Sequence, residues 1–125
     1  MAADAHERQP LRRLEFVGSS RKDLIAFPGV VKQEVGHALF LAQTGERAPS
    51  VKTLKGFGGA GVVEIVEDHD GDTYRCVYVV RLRHAVYVLH AFKKKSKRGD
   101  ETPKHDIDLV RTRLREAEHR DADYR

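Results

Sequence analysis

Long apolar runs are missing from this chain. No stretch approaches the roughly 18 apolar residues that a membrane span requires, so no membrane role is expected. Met1 to Pro10 is polar and small, without the apolar region of a secretory signal. There is one cysteine, Cys76, which excludes an intrachain disulfide. It sits inside a strand-like run, where a buried, inert thiol is the natural reading. A cytoplasmic location fits all of these absences. Also absent are internal repeats, low-complexity linkers and signs of a second domain. The 125 residues suggest one domain with a modest core.

Two kinds of site lack their usual signatures. Gly56-Phe57-Gly58-Gly59-Ala60-Gly61 fits the pattern G-x-G-x-x-G. A dinucleotide loop must follow a strand and open a helix, so that the pyrophosphate meets the helix N-terminus. Here the glycines precede a strand, and a loop entering that strand accounts for them better. No Gly-Lys-Ser/Thr is present to hold a triphosphate. The seven histidines are His6, His37, His69, His84, His90, His105 and His119. None forms H-E-x-x-H or another paired ligand spacing. No cofactor and no metal are expected.

What is present is positive charge, unevenly spread. Residues 52–98 carry ten Lys/Arg against five Asp/Glu, whereas residues 99–125 carry six against eight. A basic working surface is therefore expected in the middle of the chain, with a more acidic C-terminal segment.

The periodicities predict an α+β domain. Residues 1–10 are read as a flexible tail. Leu11 to Val17 reads as a first strand. Ser20-Arg21-Lys22-Asp23 has capping-box spacing, so a helix should begin there. Pro28 interrupts it. A second helix to about Thr44 carries Val31, Val35, Ala38, Leu39 and Ala42 at helical period, and Gly45 is placed to end it. Residues 45–61 read as a loop. Val62 to Val66 reads as a strand, and Asp70-Gly71 favours a hairpin turn. Thr73 to Arg81 and Ala85 to Phe92 read as strands that are apolar on both faces, hence central. Thr102-Pro103 looks like a cap followed by a helix-starting proline. The final helix carries Ile107, Val110, Leu114 and Ala117. Arg120 to Arg125 is expected to fray. The result is an antiparallel-rich sheet with helices on one face and the other face partly open.

The segment Arg75 to Pro103 concentrates the functional signal. Two β-rich runs lead into Lys93-Lys94-Lys95-Ser96-Lys97-Arg98, where five of six residues are cationic. A sheet that delivers such a cluster is suited to polyphosphate. The tract also reads as an ordinary solvated surface. Arg75 lies in a strand that should be buried, so it needs a carboxylate or a phosphate partner; Glu64 on the neighbouring strand is the competing structural partner. His90 should share a strand face with Val88 and Phe92 by period 2. Lys52 and Lys55, three apart, would lie on one side of a helical turn.

Lys52-Thr53-Leu54-Lys55-Gly56, Gly61-Val62-Val63-Glu64-Ile65, Tyr74-Arg75-Cys76-Val77-Tyr78, Leu89-His90-Ala91-Phe92-Lys93-Lys94-Lys95-Ser96 and Thr102-Pro103 together resemble the RelE/HigB-type toxins of type II toxin–antitoxin systems, in the phage-derived branch. The resemblance covers roughly residues 12–118, within a domain taken as 11–118, with 119–125 as a second tail. It implies a RelE-like microbial RNase fold: an N-terminal strand and two helices, an antiparallel-rich sheet and a C-terminal helix. It also implies metal-independent cleavage of mRNA, typically on the ribosome, and neutralisation by a cognate antitoxin, often of helix-turn-helix type. By motif position it implies RNA holding and phosphate stabilisation by Arg75, Lys93, Lys94 and Lys95, and more loosely by Lys52, Lys55 and His90; Arg75, His90 and Lys55 are taken as catalytic, and Lys52, Lys93, Lys94, Lys95 and Lys97 as RNA-binding. Some members of the family use a tyrosine near the end of the chain in catalysis; Tyr124 falls outside the matched region, and the identity of the general base is left open. Two other readings stand beside this one: a non-catalytic RNA- or ribosome-binding module, and a structural phage-derived protein.

Overall fold

A computed structural model of the protein describes residues 11–95 and 102–124. The elements are β1 (Arg13–Phe16), α1 (Ser20–Ile25), α2 (Gly29–Gln43), β2 (Val51–Thr53), β3 (Val62–His69), β4 (Asp72–Val79), β5 (Ala85–Lys95) and α3 (Lys104–Ala122). One five-stranded sheet has the order β1-β5-β4-β3-β2. β1 runs parallel to β5, and every other pairing is antiparallel. The expected α+β class and antiparallel-rich sheet are what the chain adopts.

Local chemistry accounts for several boundaries. Asp70 and Gly71 both take positive φ, 52° and 84°. That is the two-residue turn whose twist matches paired strands, and it puts His69 opposite Asp72. Gly45, at φ 89°, follows the C-cap Thr44 of α2. Glycine is favoured there because the left-handed region costs it nothing.

Other expectations are corrected. Residues 45–61 contain β2, a strand of only three residues that pairs with β3. The cap of α1 is Ser19, not Ser20. Ser19 Oγ donates to Asp23 Oδ2 at 2.7 Å, while Ser20 Oγ donates to the Val88 carbonyl at 3.0 Å. α3 runs on to Ala122 with Asp121 buried, so its last turn belongs to the folded unit. Asp121 accepts the backbone N–H groups of Arg83 and His84, each at 2.8 Å, and the Tyr87 hydroxyl at 2.9 Å. A carboxylate that holds three donors cannot sit in a frayed tail.

Helices cover both faces of the sheet. On one face α2 packs Val31, Val35 and Leu39 against Ile65, Cys76, Tyr78 and Val88. On the other, α3 packs Val110 and Ala117 against Val77, Val79, Tyr87 and Leu89. Each fully buried aliphatic side chain contributes about 1.5–3 kcal/mol, so both faces stabilise the fold. The expected open face is therefore covered along much of its length by α3. Cys76 is fully buried, and burial pushes its thiol up to about 12, which leaves it unreactive at neutral pH. Among the described residues no helix is long and apolar enough to cross a membrane.

Candidate functional site

The register of the sheet lines up a row of side chains on the α3 face. Lys52 is opposite Glu64, Glu64 opposite Val77, and Val77 opposite His90. Directly opposed residues point to the same face. The next row on that face is Val66, Arg75 and Phe92. Arg75 on β4 thus stands between Glu64 on β3 and His90 on β5. Strands lie about 4.8 Å apart, so the Glu64 and His90 backbones are separated by about 10 Å.

A β-bulge produces the placement of His90. Val77 pairs with His90 but Tyr78 pairs with Val88, so Leu89 is an extra residue in β5. One extra residue reverses the alternation. Val88 faces α2, whereas Leu89 joins the core under α3. The expectation that His90 shares a face with Val88 fails for this reason. The expectation that it shares a face with Phe92 holds, and the two rings stack with centroids 4.6 Å apart and planes at 18°.

Glu64 and Arg75 form a buried pair. Arg75 Nη1 donates to Glu64 Oε1 at 3.2 Å and to Thr102 Oγ1 at 3.2 Å. Thr102 Oγ1 donates in turn to Glu64 Oε2 at 3.1 Å. Arg75 is 2 % exposed and Glu64 4 %. The carboxylate partner weighed in the sequence is the one Arg75 has. Thr102 does not cap α3, whose N-cap is Pro103, because its hydroxyl is committed to this cluster.

His90, 6 % exposed, is held from two sides. Its Nε2 lies 2.7 Å from Asp106 Oδ1 on the first turn of α3. Its Nδ1 lies 3.5 Å from Arg113 Nη1. A guanidinium only donates, so Nδ1 is the acceptor and the proton sits on Nε2, facing the carboxylate. Burial holds the His90 pKa below its ordinary value, and Asp106 draws it only part of the way back. His90 is neutral at pH 7 in this arrangement.

The cations divide. Lys52 and Lys55 are exposed. With Glu64, Thr102 and Ile107 they line a cavity of about 370 Å³. Lys52 lies in β2, not on a helical turn, and the two come together through the cavity instead. Along β5 the lysines alternate. Lys94 is opposite Thr73 on the Arg75 face, whereas Lys93 is opposite Tyr74 on the other. Lys93 Nζ lies 3.7 Å from Asp72 Oδ2. Lys93 and Lys94 of the expected cluster are therefore on opposite faces. Lys95 closes β5, and Lys97 lies outside the described residues.

Sequence reasoning missed Asp106, Arg113 and Phe92, and it treated Glu64 only as a partner for Arg75. One signal for Glu64 was available: it is the only charged residue in Val62-Val63-Glu64-Ile65-Val66. Nothing local marks Asp106. Tyr124 stacks near His84 at 4.7 Å and under Arg13 at 5.1 Å, away from this row. Among the described residues no group of three or more His, Cys, Asp or Glu side chains is placed to hold a metal ion.

Comparison with known proteins bears on the fold and the family. No curated protein matches the sequence. The structure is similar to that of a mutant E. coli toxin RelE in the free state, with TM-score 0.53 and 15% identity over 86% of this chain and 98% of that one. It is also similar to a chain of the toxin–antitoxin complex RelBE2 from Mycobacterium tuberculosis, with TM-score 0.45 and 22% identity over 69% of this chain and 94% of that one. The family model described as Phage derived protein Gp49-like (DUF891) matches residues 22–115. The chain therefore belongs to the Gp49-like family of phage-derived proteins and is built on the fold of the toxin RelE.

Proposed function

We propose that this chain is the toxin of a type II toxin–antitoxin pair and cleaves mRNA without a metal, in association with the ribosome. The observation that carries the proposal is the placement of Glu64, Arg75 and His90 on three adjacent strands of one sheet face. RNA carries its own nucleophile, the 2′-hydroxyl. Cleavage needs a base to take its proton, positive charge to stabilise the phosphorane, and an acid to protonate the departing 5′-oxygen. Each proton-transfer role is worth about 10²–10⁴ in rate.

Glu64 is the base in this reading. Arg75, central and always charged, stabilises the phosphorus-bound oxygens. His90, protonated once withdrawal of the first turn of α3 relieves the burial that lowers its pKa, gives that proton to the leaving oxygen. Lys55, on the rim of the cavity beside Glu64, neutralises the scissile phosphate and is the alternative acid or base. Lys52 and Lys94, with Lys95 and Lys97 beyond, hold flanking phosphates. Phe92 offers a face on which a base can stack. Thr102 and Asp106 must withdraw before RNA can reach the row, so opening of the first turn of α3 is part of the mechanism. The antitoxin, of helix-turn-helix type, is the partner that the RelE/HigB resemblance implies.

A specific observation favours a second reading. The three groups are 2–6 % exposed and bonded to one another or to α3, which suits a non-catalytic RNA- or ribosome-binding module. Induced expression separates the two. The nuclease arrests growth with loss of mRNA, is relieved by co-expressing a neighbouring helix-turn-helix gene, and loses its effect in Glu64→Gln. A binding module that leaves mRNA intact, or a Glu64→Gln variant as toxic as wild type, contradicts the proposal.

A further inference from the structure

On the opposite face, the end of α2, β2 and the ends of β3 and β4 enclose a cavity of about 310 Å³. That is near the lower end of the roughly 300–1,000 Å³ typical of small-ligand sites. Its apolar wall is Ala42, Val51, Val63 and Val80, and Arg12, Glu46 and Arg47 stand around it. Tyr78 also lines it and is 2 % exposed. The Tyr78 hydroxyl makes no hydrogen bond to any described residue, yet it is not sealed off, so it opens on the cavity. Burial keeps this hydroxyl protonated by pushing its pKa up.

The cationic side of the cavity differs between its two arginines. Arg12 spends its guanidinium on the carbonyls of Val80, Leu82 and Ala85. Arg47 donates only through Nε to the Val51 carbonyl and through Nη2 to Thr53 Oγ1. Its Nη1 is uncommitted among the described residues. A hydroxyl donor and a guanidinium edge above a hydrocarbon wall call for an acceptor that is anionic at one end and apolar at the other. Glu46, exposed, opposes a second negative charge and restricts the ligand to one.

We propose that this cavity binds a small organic monocarboxylate with a compact apolar body. The carboxylate accepts from Tyr78 Oη and Arg47, and the body lies against Val51, Val63 and Val80. The site is separate from the Glu64 row, which is on the other face. Val51 and Lys52 are adjacent in β2 and face the two sites respectively, so β2 joins them.

Titration calorimetry with benzoate, benzyl alcohol and acetate tests the assignment. Benzoate should bind the full-length protein at millimolar concentration. Benzyl alcohol, without the charge, and acetate, without the body, should each bind at least about tenfold more weakly. Tyr78→Phe should weaken benzoate by a similar factor while leaving the melting temperature unchanged, because the hydroxyl bonds no other described residue. Arg47→Gln is the independent second variant and should weaken benzoate without affecting benzyl alcohol. No saturable benzoate binding, or unchanged affinity in Tyr78→Phe or Arg47→Gln, overturns the proposal.

Discussion

Glu64 and His90 stand on the same face of the sheet on either side of Val77, and Arg75 lies between them one row along. Acid, base and phosphate-stabilising groups on three adjacent strands are rigidly spaced by the backbone ladder. The same three groups are also buried and paired, so their structural and chemical roles must be separated by experiment.

Arg75→Ala is expected to destabilise the protein by about 3–5 kcal/mol, because it leaves the buried Glu64 carboxylate without its guanidinium. Replacing both members with apolar residues, Glu64→Leu with Arg75→Met, should recover most of that stability, since it removes both desolvated charges at once. The double variant should fold and be inactive. Thermal melts alongside mRNA cleavage check this. A stable and fully active double variant would remove the pair from the chemistry.

His90 gives a pH signature. Its folded-state pKa lies below the ordinary value because burial outweighs Asp106. The unfolded chain then takes up the proton more readily. The stability from neutral His90 is complete above about pH 6.5 and is lost as pH falls through the folded-state pKa. Melting temperatures measured from pH 8 down to pH 5 should fall more steeply for wild type than for His90→Gln. Parallel curves would mean that His90 does not titrate differently on folding.

Salt dependence tests the division of the lysines. Alanine at Lys52, Lys55 or Lys94 should each lower the slope of log K against log salt by about 0.7 for single-stranded RNA. Lys93→Ala should change it less, because the register turns Lys93 to the other face beside Asp72. Equal effects at Lys93 and Lys94 would show that RNA does not follow one face.

Asp121→Ala should cost about 2–3 kcal/mol by stranding three donors, read as a lower denaturation midpoint. Burial opposes ionisation of Asp121, but the hydrogen bonds from His84, Arg83 and Tyr87 together hold its pKa below the usual carboxylate value. Its contribution is therefore present above about pH 4 and is lost as pH falls further.

The parts of the fold with strong periodicity were legible. The apolar stripe of α2, the Asp70-Gly71 turn and the strands β3, β4 and β5 follow from local patterns. β2 was not, because three residues carry no period. The bulge at Leu89 was not, because an inserted residue looks like any other apolar residue in Tyr87-Val88-Leu89. The strands' two-sided apolar character was read as a central position with helices on one face only, because the stripe of the last helix does not say which face it covers; α3 covers the second. Thr102 read as a helix cap because Thr-Pro usually is one; only tertiary contact with Glu64 and Arg75 gives its hydroxyl another use. Arg75 and His90 stood out as charged or titratable residues in strands expected to be buried, but Asp106, the partner of His90, comes from a helix that no local signal ties to β5.

The chemistry of the cut ends tests the central claim most directly. RNA cleaved by the purified protein on programmed ribosomes can be mapped and its new termini identified by mass spectrometry. Attack by the 2′-hydroxyl, with Glu64 as base and His90 as acid, predicts a 2′,3′-cyclic phosphate on one fragment and a 5′-hydroxyl on the other. It also predicts no cleavage when the nucleotide before the scissile bond carries a 2′-deoxyribose. A 3′-hydroxyl with a 5′-phosphate, or undiminished cleavage at the deoxy position, would contradict it.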